Sequence, residues 1–193
     1  MKIKPSQIYL DAAATTPPAK EVINTMLDTQ LNIWGNPSSL HYKGIEAMEL
    51  LERSRLTISK ILTALPEEII FTSGATDSIE KAIFKSLNFA KKGDIVISSV
   101  EHPAVFRVIE TLQADGWKIK YWPVNQKGCI DLKYLDQLLG PNTSFVSLIW
   151  GQNEIGSLQP IKLIGNECKK REILFHVDAT QNITDDLFNW SEL

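Results

Sequence analysis

The sequence is poor in several features that would point to particular classes of protein. Its 193 residues include two cysteines, Cys129 and Cys168, which are too far apart for a zinc knuckle or a disulfide framework. The longest apolar runs, such as residues 145–150, are far too short to span a bilayer. No apolar segment follows the lysines near the start, so no secretory signal is expected. These absences favour a protein of the reducing cytoplasm with no membrane partner.

Charge and motif patterns exclude further kinds of site. A net charge of −3 without long charged runs offers no basic surface for nucleic acid. No H-x-x-x-H pair or close set of carboxylates and cysteines indicates a metal site. No G-x-G-x-x-G follows a predicted strand, and the glycine-bounded segment 151–157 lacks the lysine of a P-loop. A dinucleotide site, a P-loop and a metal centre are therefore all disfavoured.

The hydrophobic pattern predicts an α/β protein. Amphipathic helical spacing begins near Thr16 and again at Leu40, and short, nearly continuous apolar runs then alternate with further helical stretches. Gly93 is expected to end the helix that follows the first run. Strands that are apolar throughout are typical of a mostly parallel sheet with helices on both faces. The five predicted strands are residues 69–72, 95–100, 118–122, 145–150 and 173–177.

Polar residues at the ends of these strands are candidate site residues, because ligands of open α/β sheets bind beyond the carboxyl ends of the strands. Gly74 would let a phosphate approach the free N–H groups of a helix starting near Ala75, and Ser73 and Thr76 would add hydroxyl donors. A simple helix cap explains the same residues equally well at this point.

Four other residues after predicted strands have similar double interpretations. His102 could stack on a flat ring or move protons, or it is a polar loop residue. Asp178 could pair with a protonated ring nitrogen, or it caps the next helix. Asn153 and Gln181 could contact the same ligand, or they serve a turn and a helix surface.

Six ordered sequence blocks resemble one family. Together they are similar to the cysteine desulfurases of the NifS and IscS type, within the class V aminotransferases, over essentially the whole chain. The blocks are DAAATTP at 11–17, GNPSSLH at 35–41, FTSGAT at 71–76, EHPA at 101–104, NEIG at 153–156 and FHVDA at 175–179.

The resemblance implies a cofactor, pyridoxal 5′-phosphate (PLP), and a role for each candidate. Ala75 and Thr76 would hold the phosphate, and Asp178 would pair with the ring nitrogen. His102 would stack on the ring and take part in proton transfer, as the catalytic residue of the set. Gln181 and Asn153 would lie near the phenolic oxygen. Family members convert L-cysteine to L-alanine and pass the sulfur to an acceptor protein for iron–sulfur clusters or thiolated products.

The resemblance also predicts what this sequence lacks. The family's cofactor-linking lysine, in a Ser-x-His-Lys motif, and its catalytic cysteine should follow Asp178, but no residue up to Leu193 matches them, and neither Cys129 nor Cys168 does. We therefore expect PLP to bind non-covalently at most. We expect a type I large domain at 16–193, truncated before its last two strands, after an N-terminal segment at 1–15.

The missing strands include the neighbour of the first strand, so the expected partner is a second copy or a complementing C-terminal chain. Two alternatives remain open: a non-catalytic truncated or split family member, and another class V enzyme such as a selenocysteine lyase or an aminotransferase.

Overall fold

The structure, a computed structural model, describes residues 8–182. It divides into two compact units, one ending at Ile70 and one beginning at Phe71. The predicted boundary between an N-terminal segment at 1–15 and a domain at 16–193 stays a prediction. Across the described residues, no helix combines the length and the apolar character needed to cross a lipid bilayer.

The first unit is helical. It contains α1 (Lys20–Asn32), α2 (Tyr42–Leu62) and a 3-10 turn at Pro66–Glu68. The GNPSS turn lies tightly against the start of α2, since a Cβ at Gly35 would lie 2.1 Å from the Lys43 carbonyl oxygen. A Cβ at Gly44 would lie equally close, 2.1 Å, to the carbonyl oxygen of Ser39. Glycine is therefore required at both positions because two backbone segments approach each other there.

The second unit is built on a sheet of four parallel strands in the order β2-β1-β3-β4. The strands are β1 (Asp94–Ser98), β2 (Lys118–Trp122), β3 (Thr143–Ile149) and β4 (Leu174–Asp178). The helices are α3 (Ala75–Leu87), α4 (Pro103–Ala114), α5 (Leu135–Leu138) and α6 (Ile161–Lys170), with a 3-10 turn at Leu132–Tyr134 before α5. The predicted α/β class with a parallel sheet is confirmed.

Side chains of the sheet alternate between two apolar cores, as the two-residue repeat of a strand requires. Ile95, Ile97 and Phe145 pack with α3 and α4 on one face. Val96, Val146 and Leu148 pack with α5 and α6 on the other. Because both faces are covered, residues of the central strands β1 and β3 are buried at nearly every position. The predicted helices on both faces are confirmed.

The first predicted strand, residues 69–72, is wrong. The segment lies outside the sheet in irregular backbone, and Ile70 is 63% exposed. A guanidinium nitrogen of Arg55 donates to the carbonyl oxygen of Ile69, which a sheet neighbour would otherwise use. β-branched and aromatic residues form a strand only where a neighbouring strand pairs with their backbone N–H and C=O groups. The described part of the chain supplies no such neighbour to this segment.

Candidate functional site

The carboxyl ends of the four strands lie along one edge of the sheet, because all four are parallel. His102 follows β1, Asn153 follows β3, and Asp178 is the last residue of β4. Ile149, the last residue of β3, is the register partner of Asp178. The fold therefore places these three predicted residues in segments that leave the sheet at the same edge.

The carboxylate of Asp178 is buried and held in one orientation. Its side chain is 6% exposed. Oδ1 accepts hydrogen bonds from the backbone N–H of Thr180 at 3.1 Å and from the Thr180 hydroxyl at 2.5 Å. The Asp178 carbonyl oxygen accepts from the Trp150 N–H at 2.9 Å, which continues the pairing with β3 beyond its end. Thr180 therefore fixes the orientation of this carboxyl group.

His102 caps α4 with its own side chain. Nδ1 accepts a hydrogen bond from the Ala104 N–H at 3.2 Å, and Pro103 occupies the first helical position. Since Nδ1 is an acceptor, the neutral imidazole carries its proton on Nε2. Capping uses one ring nitrogen and leaves the other as a donor, so it is compatible with the ligand role of His102, which stays a prediction.

The start of α3 is open in the way an anion site requires. A Cβ at Gly74 would meet no atom within 4 Å, and Ala75 and Thr76 are exposed. No side chain caps this helix, and the first N–H groups of a helix have no intrahelical acceptor. α3 packs against α4 and β4.

Ser73 departs from its predicted role as a hydroxyl donor to a ligand. Its N–H and its hydroxyl both donate to Oδ2 of Asp77, which also pairs with Lys81 at 2.7 Å. The hydrogen bond from Lys81 lowers the pKa of Asp77, so this carboxyl group stays ionised. Ser73 therefore orders the turn before α3, and the free donors at this end belong to Ala75 and Thr76.

Asn153 lies in a loop that is closed by its own hydrogen bonds. Gly151 and Leu158 form an antiparallel bridge, and the Gln152 N–H donates to the Ser157 carbonyl at 2.9 Å. The side-chain oxygen of Gln152 accepts from the N–H groups of the next two residues after Asn153, at 2.6 and 2.8 Å. Asn153 is half-buried, whereas Gln181 is exposed in the turn after β4.

Glu101 is a buried acid at the same edge to which the sequence interpretation gave no role. It is 4% exposed, and Oε1 accepts from the Ser98 hydroxyl and from the Ile149 N–H at 2.9 Å. Burial, and to a smaller degree the neighbouring Asp178 charge, raises its pKa to about 7 against the opposing effect of these two donors. A glutamate directly after a fully buried strand was the available signal.

Within residues 8–182, His, Cys, Asp and Glu side chains form no group of three suited to holding a metal ion.

Cys168 lies in the core on the buried face of α6, where burial raises the pKa of its thiol to about 12. Such a thiol is not a nucleophile at neutral pH.

Comparisons with known proteins agree with this architecture. The chain matches the family model described as Aminotransferase class-V over residues 8–193. It is 42% identical over 177 residues to the cysteine desulfurase IscS of Neisseria meningitidis, covering 90% of this chain and 44% of that protein. It is 41% identical over 179 residues to the cysteine desulfurase of Mus musculus, covering 91% and 39%.

A solved structure of a NifS-like protein superposes with a TM-score of 0.90 at 35% identity, covering 94% of this chain and 51% of that one. The chain thus spans about two fifths of the length of the curated relatives it matches. The family match covers nearly the whole chain, and the sheet and its edge follow the same plan. This chain belongs to the class-V aminotransferase family.

Proposed function

We propose that this chain carries the cofactor-binding part of a PLP-dependent cysteine desulfurase, which converts L-cysteine to L-alanine and passes the sulfur to an acceptor. Similarity to cysteine desulfurases at about 40% identity supports the activity. The observation that carries the proposal is the buried carboxylate of Asp178, oriented by Thr180 at the carboxyl end of β4.

The residues present fit PLP by the chemistry of their donors and acceptors. An open helix start at Gly74 suits a phosphate, and Ala75 and Thr76 would hold it. Asp178 would pair with the ring nitrogen and Gln181 with the phenolic oxygen. His102 would stack on the ring, and Asn153 would lie beside the phenolic oxygen. When bound, the ring supplies the electron withdrawal on which the chemistry depends.

The protein's own side chains would then orient the cofactor and hold or donate protons. Asp178, oriented by two donors from Thr180, would accept a hydrogen bond from the ring nitrogen. His102 keeps Nδ1 bonded to the Ala104 N–H and offers the Nε2 proton. The closed loop at 151–158 fixes the backbone that carries Asn153. A cytoplasmic location, and a second copy or a complementing C-terminal chain as partner, complete the proposal.

The test is PLP binding to the purified chain, followed by visible absorbance and by circular dichroism induced in the cofactor band. We expect the chain to bind PLP, and Asp178→Asn to weaken binding at least about tenfold, equivalent to about 1.4 kcal/mol. Thr76→Val should also weaken binding through loss of a phosphate donor. The matched control is Asp115→Asn, an exposed aspartate after α4. Unchanged affinity in Asp178→Asn would contradict the proposal.

A further inference from the structure

Two buried carboxyl groups lie near the edge of the sheet at which the parallel strands end. Glu101 and Asp178 are 4% and 6% exposed, and both are next to Ile149. Glu101 bonds the Ile149 N–H, and Asp178 is the register partner of the same residue. The charge of Asp178 adds to the effect of burial in raising the pKa of Glu101. Two ionised carboxylates this deeply buried would repel each other, which favours a proton on Glu101.

The two groups differ in how their oxygens are used. Oε2 of Glu101 is buried and has no hydrogen-bond partner among the described residues. Within the same residues no basic side chain pairs with Glu101. A buried oxygen that accepts nothing carries a full desolvation cost as an anion, and protonation reduces that cost to the smaller one of an unpaired neutral group.

Two histidines lie close to these acids in the described part of the chain. His102 directly follows Glu101 and uses Nδ1 to cap α4. His176 lies two residues before Asp178 on β4, and burial lowers its pKa to about 4. His176 is therefore neutral near pH 7 and offers Glu101 no compensating charge.

We propose that Glu101 is a positioning residue that holds a proton on Oε2 and so places no second charge beside Asp178. Oε1 meanwhile joins the end of β1 to the end of β3 through Ser98 and Ile149. The proton removes a charge that would otherwise compete with Asp178 for the same cation. The inference rests on the proposed function only in its account of what Asp178 binds.

The decisive experiment needs no cofactor. The chain is labelled with 13C at the glutamate carboxyl carbons, and NMR follows the Glu101 signal, identified by its loss in Glu101→Gln, across pH. We expect a titration midpoint near 7, and a shift of that midpoint to lower pH in Asp178→Asn. The matched control is Glu110→Gln, which identifies an exposed glutamate on α4 in the same spectra. A midpoint near the ordinary value of about 4.3, or one that Asp178→Asn leaves unmoved, would overturn the proposal.

A second measurement distinguishes a Glu101 side chain that positions its neighbours through hydrogen bonds from one that only fills space. Glu101→Gln keeps the acceptor for Ile149 and replaces the protonated oxygen by an amide donor, so it should fold and bind PLP within about twofold of the parent chain. Glu101→Ala loses both groups and should bind at least about tenfold more weakly. Failure of Glu101→Gln to fold would contradict a neutral Glu101. Absence of PLP binding by the parent chain would refute the proposed function and leave the NMR result intact.

Discussion

Ser147 and His176 are register partners across the β3–β4 pair, and the Ser147 hydroxyl lies 2.9 Å from Nδ1 of His176. The imidazole also stacks on Phe145, with ring centroids 6.4 Å apart. This half-buried, apolar setting lowers the pKa of His176 to about 4, because the charged ring would lose its hydration. The histidine is thus a structural member of the sheet face that packs on α3 and α4.

The first prediction concerns His176 and acid stability. Its pKa is lower in the folded chain than in the unfolded chain, so its contribution is complete above about pH 6.5 and is lost as pH falls towards about 4. The difference in the free energy of unfolding between the parent chain and His176→Gln should fall by up to about 3 kcal/mol over that range. Urea unfolding at several pH values measures it. The control is His41→Gln, an exposed histidine whose replacement should leave the pH profile unchanged.

The second prediction concerns Glu101, whose contribution to the unfolding free energy should change with pH in the opposite direction. Its pKa is higher in the folded chain, so its contribution is complete below about pH 4.5 and is lost as pH rises to about 7. Relative to Glu101→Gln, the parent chain should lose up to about 3 kcal/mol of unfolding free energy across this range. Between about pH 4.5 and 6.5 the contributions of His176 and Glu101 to the unfolding free energy change in opposite directions and nearly cancel. The unfolding free energy of the parent chain should therefore vary little over this range, whereas that of each variant should change with pH. Parallel profiles for Glu101→Gln and the parent chain would contradict this assignment.

The third prediction tests the hydroxyl that orients Asp178. Thr180→Val removes one of the two bonds to Oδ1 while keeping the backbone bond. A side-chain hydrogen bond contributes about 0.5–1.5 kcal/mol, so PLP affinity should fall several-fold, up to about tenfold. Thr111→Val is the matched control, since its hydroxyl bonds only a carbonyl within α4. Equal affinity for the two variants would show that Thr180 does not orient the carboxylate.

The fourth prediction concerns a close approach of two strands. A Cβ at Gly93 would lie 2.4 Å from the Asn142 carbonyl oxygen and 2.3 Å from the Ser144 hydroxyl. Gly93→Ala must therefore push β1 from β3, and we expect a loss of about 1–3 kcal/mol in unfolding free energy. Gly140→Ala is the control, because its nearest contact, Gln137 O, is an ordinary 3.7 Å away. Thermal or urea unfolding of both variants provides the measurement.

The two thiols should differ sharply in reactivity. Cys168 is 1% exposed with a pKa raised by burial to about 12, whereas Cys129 is half-exposed beside the Leu158 carbonyl. A chromogenic disulfide reagent should modify one thiol per folded chain and two in denaturant. Cys129→Ser should abolish the folded-state reaction. Rapid labelling of Cys168 in the folded chain would show that the α6 core opens readily.

Local sequence determined much of this fold. Local patterns were sufficient to predict the strands β1 and β3 and the helices α3, α4 and α6. Each of these elements buries a face that its own residues define. The same information placed His102 and Asp178 at strand ends. Their convergence with Thr76 on one cofactor stays a prediction.

The errors share a physical cause, which is dependence on a distant partner. Residues 69–72 have strand-like composition, yet a strand also needs a neighbour, which no local pattern specifies. Gly93 was expected to end a helix, but α3 ends at Leu87, and Gly93 serves the approach of the strands. The significance of Glu101 depends on the Ile149 N–H, 48 residues later in the chain.

The closed loop after β3 has a thermodynamic consequence for whatever contacts Asn153. Its shape is fixed by the Gly151–Leu158 bridge and by the bonds to the Gln152 side chain, all of which form when the chain folds. The entropy of ordering these residues is therefore lost during folding, before any ligand arrives. A molecule that engages the amide gains its contact without bearing that loss, which is the advantage of a preorganised receptor.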